Sequence, residues 1–160
     1  MTRIEVVTVV EAEPGVVFDL ELDVDVHAAS LAGSSETASA SSGRRVLELG
    51  DDVTFSAHHL GVWWTMTSRI TTHERPGFFV DEQVDGPFAR MRHEHLFVGV
   101  GPGRTLMHDR MDVVLPCGAA GSAVARVVLA PYLRRLLRRR GRAVALLAAG
   151  PVAPSGRLAP

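Results

Sequence analysis

The chain has 160 residues, 46% of them apolar, and a formal net charge of −1. One domain with a substantial core is expected, and the single cysteine, Cys117, rules out an internal disulfide. The near-zero charge argues against nucleic acid or anionic lipid as a global partner, and no apolar run approaches the ~18 residues of a membrane span.

Thr2 to Ala12 reads as a strand, with Val6, Val7, Val9 and Val10 supplying β-branched bulk. Pro14 suits the first turn of a short helix through Val16, Val17, Phe18 and Leu20. A second short helix is expected over 24–32, with Asp23 or Asp25 as its N-cap. Residues 33–43 are a low-complexity polar loop. From residue 45 the pattern is strands: Arg45–Leu49, Val53–Leu60, Val62–Thr72, Phe78–Asp85, Ala89–Val100 and Arg104–Leu115. Turn signals such as Arg75-Pro76-Gly77, Gly86-Pro87 and Gly101-Pro102-Gly103 separate them, which predicts an antiparallel meander.

After Cys117-Gly118 the chain turns helical. At 100° per residue, Leu129, Leu133, Leu136, Leu137, Val144 and Leu147 share one face, while Arg134, Arg135, Arg138, Arg139 and Arg142 share the other. Residues 126–142 hold seven arginines and no acid, whereas residues 1–60 hold 11 of the 18 acids. The arginine run reads first as a solvated helix face and second as a patch for an acidic partner. Arg140 falls on the apolar face, where it can snorkel or reach an interior acid. The apolar phase changes near Pro131, which predicts a kink or restart. The domain is placed at 1–149, with 150–160 as a loose tail rich in Pro, Gly and Ala.

The most informative stretch is Met91-Arg92-His93-Glu94-His95-Leu96-Phe97. Side chains two apart on a strand share a face, so Met91, His93, His95 and Phe97 lie together. Two imidazoles on an apolar face could line a ligand cavity, hold a metal, or sit in a core with satisfied partners. Zn²⁺ or Fe²⁺ would need a third ligand such as His59 or Asp109. The cupin pattern is absent, since it needs a glutamate where Val98 and Gly99 stand. No metal is assigned. By the same alternation Phe55, Ala57 and His59 form one inward set, Trp64, Met66, Ser68 and Ile70 another, and Thr105, Met107, Asp109, Met111 and Val113 a third. On 78–85 either Phe78, Val80, Glu82 and Val84 or Phe79, Asp81 and Gln83 face inward; the first choice makes Glu82 a buried carboxylate and a candidate general base.

Several motifs together resemble the START-like, or SRPBCC, superfamily with the helix-grip fold, near the small bacterial proteins of the polyketide cyclase/dehydrase group. They are Gly50-Asp51-Asp52-Val53-Thr54-Phe55, His58-His59-Leu60-Gly61, Thr67-Ser68-Arg69-Ile70-Thr71 and Pro76-Gly77-Phe78-Phe79-Val80-Asp81-Glu82. Gly86-Pro87-Phe88, His93-Glu94-His95-Leu96-Phe97 and Gly103-Arg104-Thr105-Leu106-Met107-His108-Asp109-Arg110 complete the run. The resemblance implies an α+β fold, a curved antiparallel sheet of about six or seven strands wrapped around a long C-terminal helix, with two short helices after the first strand. It also implies a cavity and no cofactor.

Two functions are expected. One is a binder of a small hydrophobic or aromatic molecule, with Phe55, Trp64, Met66, Met91, Phe97, Met107 and Met111 lining the cavity. The other is a cyclase or dehydratase acting on a polyketide-like or other carbonyl substrate. There His93, His95 and His59, with Asp109 or Glu82, would move protons. A cytoplasmic monomer or homodimer, with no nucleic-acid or membrane partner, completes the expectation.

Overall fold

A computed structural model describes residues 1–30, 37–59 and 61–150. The element order is β1 (Thr2–Val10), α1 (Pro14–Leu22), α2 (Val24–Ser30), β2 (Thr37–Ala40), β3 (Asp52–His59), β4 (Val62–Glu74), β5 (Phe78–Asp85), β6 (Arg90–Gly101) and β7 (Arg104–Val114). Then come α3 (Gly118–Val124), a π-helical turn (Ala125–Leu129) and α4 (Ala130–Ala148).

The strands form one seven-stranded sheet in the order β1-β7-β6-β5-β4-β3-β2, every pair antiparallel. Short turns join β3 to β7 as a meander, and β1 returns to the far edge beside β7. Gly61 joins β3 to β4 and Gly103 joins β6 to β7, both at positive φ (81° and 62°), which a side chain rarely adopts. The α+β architecture, a curved sheet around a long C-terminal helix with two short helices after the first strand, is the expected one.

Strict alternation on β6 and β7 builds the inner face. Met91, His93, His95 and Phe97 are buried, and so are Thr105, Met107, Asp109, Met111 and Val113. Their outward neighbours pair across the sheet, Arg110 with Glu94 and Glu5 and Arg3 with Asp112, and along β6, Arg92 with Glu94. Burial on one face and charge pairing on the other leave one register, since a one-residue slip would exchange the two sets.

α4 lies over the inner face and meets β1, α1 and α2. Leu133, Leu137, Gly141 and Val144 form its buried stripe. A Cβ at Gly141 would stand 2.4 Å from Thr8 Oγ1, so glycine lets helix and β1 approach closely. The π turn, ending just before Pro131, accounts for the shift in apolar phase, because its wider turn rotates the following residues around the axis. Leu147, expected on the apolar face, is exposed in the last turn.

Two local expectations are corrected. Residues 45–49 form no strand; Val46 makes an isolated bridge to Asp23. Thr37–Ala40, inside the expected polar loop, pairs with Val53–Ser56 as the edge strand β2. Residues 31–36, 60 and the tail 151–160 lie outside the described residues, so the expected loop start, the end of the second helix and the loose tail are not placed. Asp23 does cap α2: its Oδ1 accepts from the N–H of Asp25 (2.9 Å) and of Val26 (3.2 Å).

Candidate functional site

Between α4 and the concave face lies a cavity of about 190 Å³. Its outer part is apolar and partly exposed, bordered by Phe55, Trp64, Met66, Phe88, Tyr132 and Leu136. Its inner end is polar, formed by Glu21, Asp81, His93, His95 and Arg140. Apolar clusters pack on two sides. Val17, Phe18, Leu22, Phe79 and Phe97 belong to one; Ile4, Met91, Leu133 and Leu137 belong to the other.

At the inner end two imidazoles sit between two aspartates. The rings of His93 and His95 are 3.8 Å apart, centroid to centroid. His95 Nε2 lies 3.2 Å from Asp81 Oδ1 and His95 Nδ1 lies 3.0 Å from Asp109 Oδ1. His93 presents Nδ1 to Asp81 at 3.6 Å and Nε2 to Asp109 at 3.5 Å. β5, β6 and β7 deliver these four residues side by side, because His95 is in register with both Phe79 and Asp109, and His93 with both Asp81 and Met111. Phe79 stacks on His95 at 4.1 Å and fixes its plane.

Glu21, from α1, adds a third carboxylate 3.7 Å from His95 Nδ1. Arg140 crosses from α4: its Nη2 lies 2.6 Å from Glu21 Oε2 and donates to the Glu21 main-chain carbonyl at 3.1 Å. Several of these approaches are ion-pair contacts without hydrogen-bond alignment. Glu21 Oε1 and Oε2, His93 Nε2, His95 Nδ1 and Arg140 Nε are buried without an aligned partner. Such groups keep hydrogen-bonding capacity for a guest.

The environment splits the two histidines. Burial disfavours the charged form of both. For His95 it is outweighed by the contacts with Asp109 and Asp81, and its pKa is raised to about 9. His93 is pushed below its usual value, by burial first and the His95 charge second. Burial also pushes Asp109 and Asp81 upward, but the imidazoles hold both below the usual carboxylate range. Glu21 is raised, because its burial outweighs Arg140. At neutral pH the site therefore holds anionic Asp81 and Asp109 against cationic His95 and Arg140, with His93 neutral beside them. Asp81, His93 and His95 bring ligand atoms within 4.8 Å of one another, and so do Glu21, His95 and Asp109. The Arg140 guanidinium, 2.6 Å from Glu21, opposes a cation at the second group.

No family profile matches the sequence, and no curated protein is significantly similar to it. Solved structures are similar over nearly the whole chain. The Zhui aromatase/cyclase from Streptomyces sp. R1128 superposes with a TM-score of 0.76 at 20% identity, covering 97% of this chain and 98% of that one. The chain has the START-like helix-grip fold. The protein TTHA0849 from Thermus thermophilus gives 0.69 at 17% identity, covering 93% and 99% of the two chains. A START superfamily protein from Mycobacterium smegmatis gives 0.66 at 13%, covering 92% and 97%.

Within this helix-grip cavity the expected residues separate into groups. His93 and His95 line the inner end, and Asp109 stands behind them. Phe55, Trp64, Met66, Met91 and Met111 line the wall. Phe97 and Met107 do not: they are packed in the apolar cluster with Phe18 and Val144, deeper than the cavity surface. Glu82 is also corrected. It faces the outer side of the sheet beside Arg92 (3.7 Å) and Arg90 (3.8 Å), while Phe79 and Asp81 face inward. The side chain of His59 lies outside the described residues. Arg140 reaches an interior acid, one of the two courses open to it on the apolar face, and that acid is Glu21.

Glu21 and Asp81 were not singled out from sequence as site residues. Each carried a signal. Glu21 is the acid at i+4 from Val17 and i+3 from Phe18 on the buried face of α1. Asp81 alternates with Phe79.

Proposed function

We propose that the chain is a cyclase or dehydratase that moves protons on a carbonyl substrate, aromatic or polyketide-like, held in the cavity. The observation that carries this reading is the pair of imidazoles, 3.8 Å apart and tilted by 44°, that Asp81 and Asp109 hold at the polar inner end of an apolar pocket, one pushed down in pKa and the other up. Two adjacent titratable groups whose environments drive their pKa values apart form an acid and a base. The fold shared with a structure named as an aromatase/cyclase supports it.

In this mechanism neutral His93 removes a proton from the carbon next to a carbonyl. Cationic His95 donates a hydrogen bond, then its proton, to that carbonyl oxygen. The C–H electron pair becomes the C=C of an enol. The enol carbon attacks a second carbonyl of the same chain while the enol O–H returns its proton to His95, restoring the first C=O, and the new alkoxide takes up the proton held by His93. His93, neutral again, then takes another α-proton, the C–H electron pair forms the new C=C, and the hydroxyl leaves as water with the proton of His95; the proton left on His93 passes to His95 and restores both. Asp81 and Asp109 stay ionised, hold both rings in place and stabilise the imidazolium, as a triad aspartate does. The apolar wall folds the substrate into a reactive shape and excludes water.

The test uses an aryl β-keto ester in D₂O, followed by NMR. Wild-type protein is expected to accelerate exchange at the α-carbon, and His93→Ala or Asp109→Asn to lose at least ~100-fold of that acceleration. Saturable binding with no acceleration would overturn the enzyme reading. It would favour the second one, a binder of a small hydrophobic molecule, which the apolar lining also supports.

A further inference from the structure

The arginines of this chain fall into two populations. Those on the sheet and its loops each have a carboxylate nearby. Arg3 lies on Asp112, Arg69 on Asp52, Arg75 on Asp19 and Arg104 on Glu11, at 2.6–3.0 Å. Those on the helical segment behave differently. Arg126, Arg134, Arg135, Arg138, Arg139 and Arg142 have no ion-pair partner among the described residues, and residues 118–149 contain no acid at all. Five of these six fall within an arc of about 140° on α4, opposite its buried stripe. From Arg126 to Arg142 they extend over about 24 Å of helix. A chain with net charge −1 thus concentrates unbalanced positive charge on one element.

That element also borders the cavity. Leu129, Tyr132 and Leu136 line its wall from the same helical segment that carries the arginines. Next to them, Val124, Val127 and Val128 are exposed, Val127 to 73%. Cations around a small exposed apolar patch have the composition of a protein interface with a polar rim.

We infer that this arginine face, with the valines beside it, is a docking surface for an acidic protein. Three observations choose that occupant. A helix that lies on a bilayer turns its apolar stripe to the lipid, but the stripe of α4 is buried against the sheet and its outward side is arginine. A nucleic acid would meet a chain whose other surfaces are acid-rich, with 11 acids in the first 60 residues, and whose net charge is negative. Guanidinium forks fit carboxylates in pairs, as Arg3, Arg69 and Arg75 do elsewhere in this molecule. A partner seated there would lie beside the cavity wall; that it hands over or collects the guest rests on the proposed function, whereas the docking itself does not.

The experiment uses the full chain and four labelled probes in anisotropy titrations. They are a 20-residue helical peptide with glutamates along one face, a scrambled peptide of equal charge, phosphatidylcholine vesicles containing phosphatidylserine, and a 20-base-pair DNA duplex. The one-faced peptide is expected to bind at least fivefold more tightly than the scrambled one. Arg134→Glu/Arg135→Glu/Arg138→Glu/Arg139→Glu is expected to weaken it at least tenfold with the circular dichroism spectrum unchanged, while Arg104→Glu leaves it as it was. Equal binding of both peptides, preference for vesicles or duplex, or equal loss with Arg104→Glu would each overturn the inference. If the quadruple variant fails to fold, amide shifts of the wild-type chain decide: changes confined to 124–142 support docking there, and changes elsewhere overturn it. Ketone exchange is read separately, so either proposal can fail alone.

Discussion

Arg140 and Glu21 close the floor of the cavity, with Nη2 2.6 Å from Oε2 and the Glu21 side chain only 1% exposed. This contact ties α4 to α1 through the polar end of the site. Removing one partner of a buried pair strands the other, whereas replacing both with apolar groups does not. Arg140→Met is therefore expected to cost about 3 kcal/mol in urea unfolding at neutral pH. The double variant Glu21→Met/Arg140→Met should recover most of that. Equal losses in the single and double variants would show that the pair carries no such coupling.

The proton-transfer reading fixes a pH profile. The base requires neutral His93, whose pKa is depressed, so kcat/KM should rise with pH and level off below the ordinary histidine value of 6.5. The acid requires protonated His95, so activity should fall near pH 9. A broad plateau between these limits is expected. A profile that climbs steadily through pH 9 would assign the acid elsewhere.

Stability should follow the same groups. His95 has a folded pKa of about 9 against 6.5 when free, so its stabilisation is fully present below pH 6.5 and is lost as pH rises towards 9. Asp109, Asp81 and Glu21 face its ring, with His93 and Arg140 alongside, and raised Glu21 works in the same direction. The full shift corresponds to a loss on the order of 3 kcal/mol. Depressed His93 and His27 oppose stability on the acid side, because unfolding lets both take up protons below pH 6.5. Melting temperatures from pH 6 to 9 should decline in wild-type protein and flatten in His95→Gln.

Two neighbouring carboxylates of β5, Asp81 and Glu82, should behave differently. Asp81→Asn removes an anion that holds His95 and should lower turnover at least tenfold while shifting the alkaline limit down. Glu82→Gln changes outer-face contacts with Arg92 and Arg90 and should leave kcat and KM within twofold. Reversal of that order would mean the inward face of 78–85 is misassigned.

Core and cavity positions should also separate. Phe97 packs edge-on against Phe18 at 5.5 Å, away from the cavity surface, so Phe97→Ala should cost about 3–5 kcal/mol of stability. Met91→Trp places extra volume into the cavity and should abolish uptake of an apolar fluorescent probe, at a stability cost of about 1–3 kcal/mol. Probe uptake unchanged in Met91→Trp would place the guest elsewhere.

Much of this was legible in one dimension. Period-two alternation placed Met91, His93, His95, Asp109 and Met111 on one face, and the 3.6-residue stripe placed Leu133, Leu137 and Val144 against the sheet. Both patterns follow from fixed backbone geometry, so composition and spacing suffice to read them. The register of β5 was not legible, since Glu82 and Asp81 are both acids and both alternations contain apolar residues. Pairing settled it: once Phe79 opposes His95, Asp81 must reach the imidazoles.

By itself, then, the sequence determined the order of the long strands and helices, the inward face of β6 and β7, the buried stripe of α4 at Leu133, Leu137 and Val144, and the two histidines that share one face. Tertiary structure alone decided which charges meet. Glu21, Asp81, His95, Asp109 and Arg140 come from five elements up to 119 positions apart, and the contacts among them depend on how α1 and α4 cross the sheet. Whether an imidazole is acid or base depends on burial and on carboxylates within 4 Å, which no local pattern encodes.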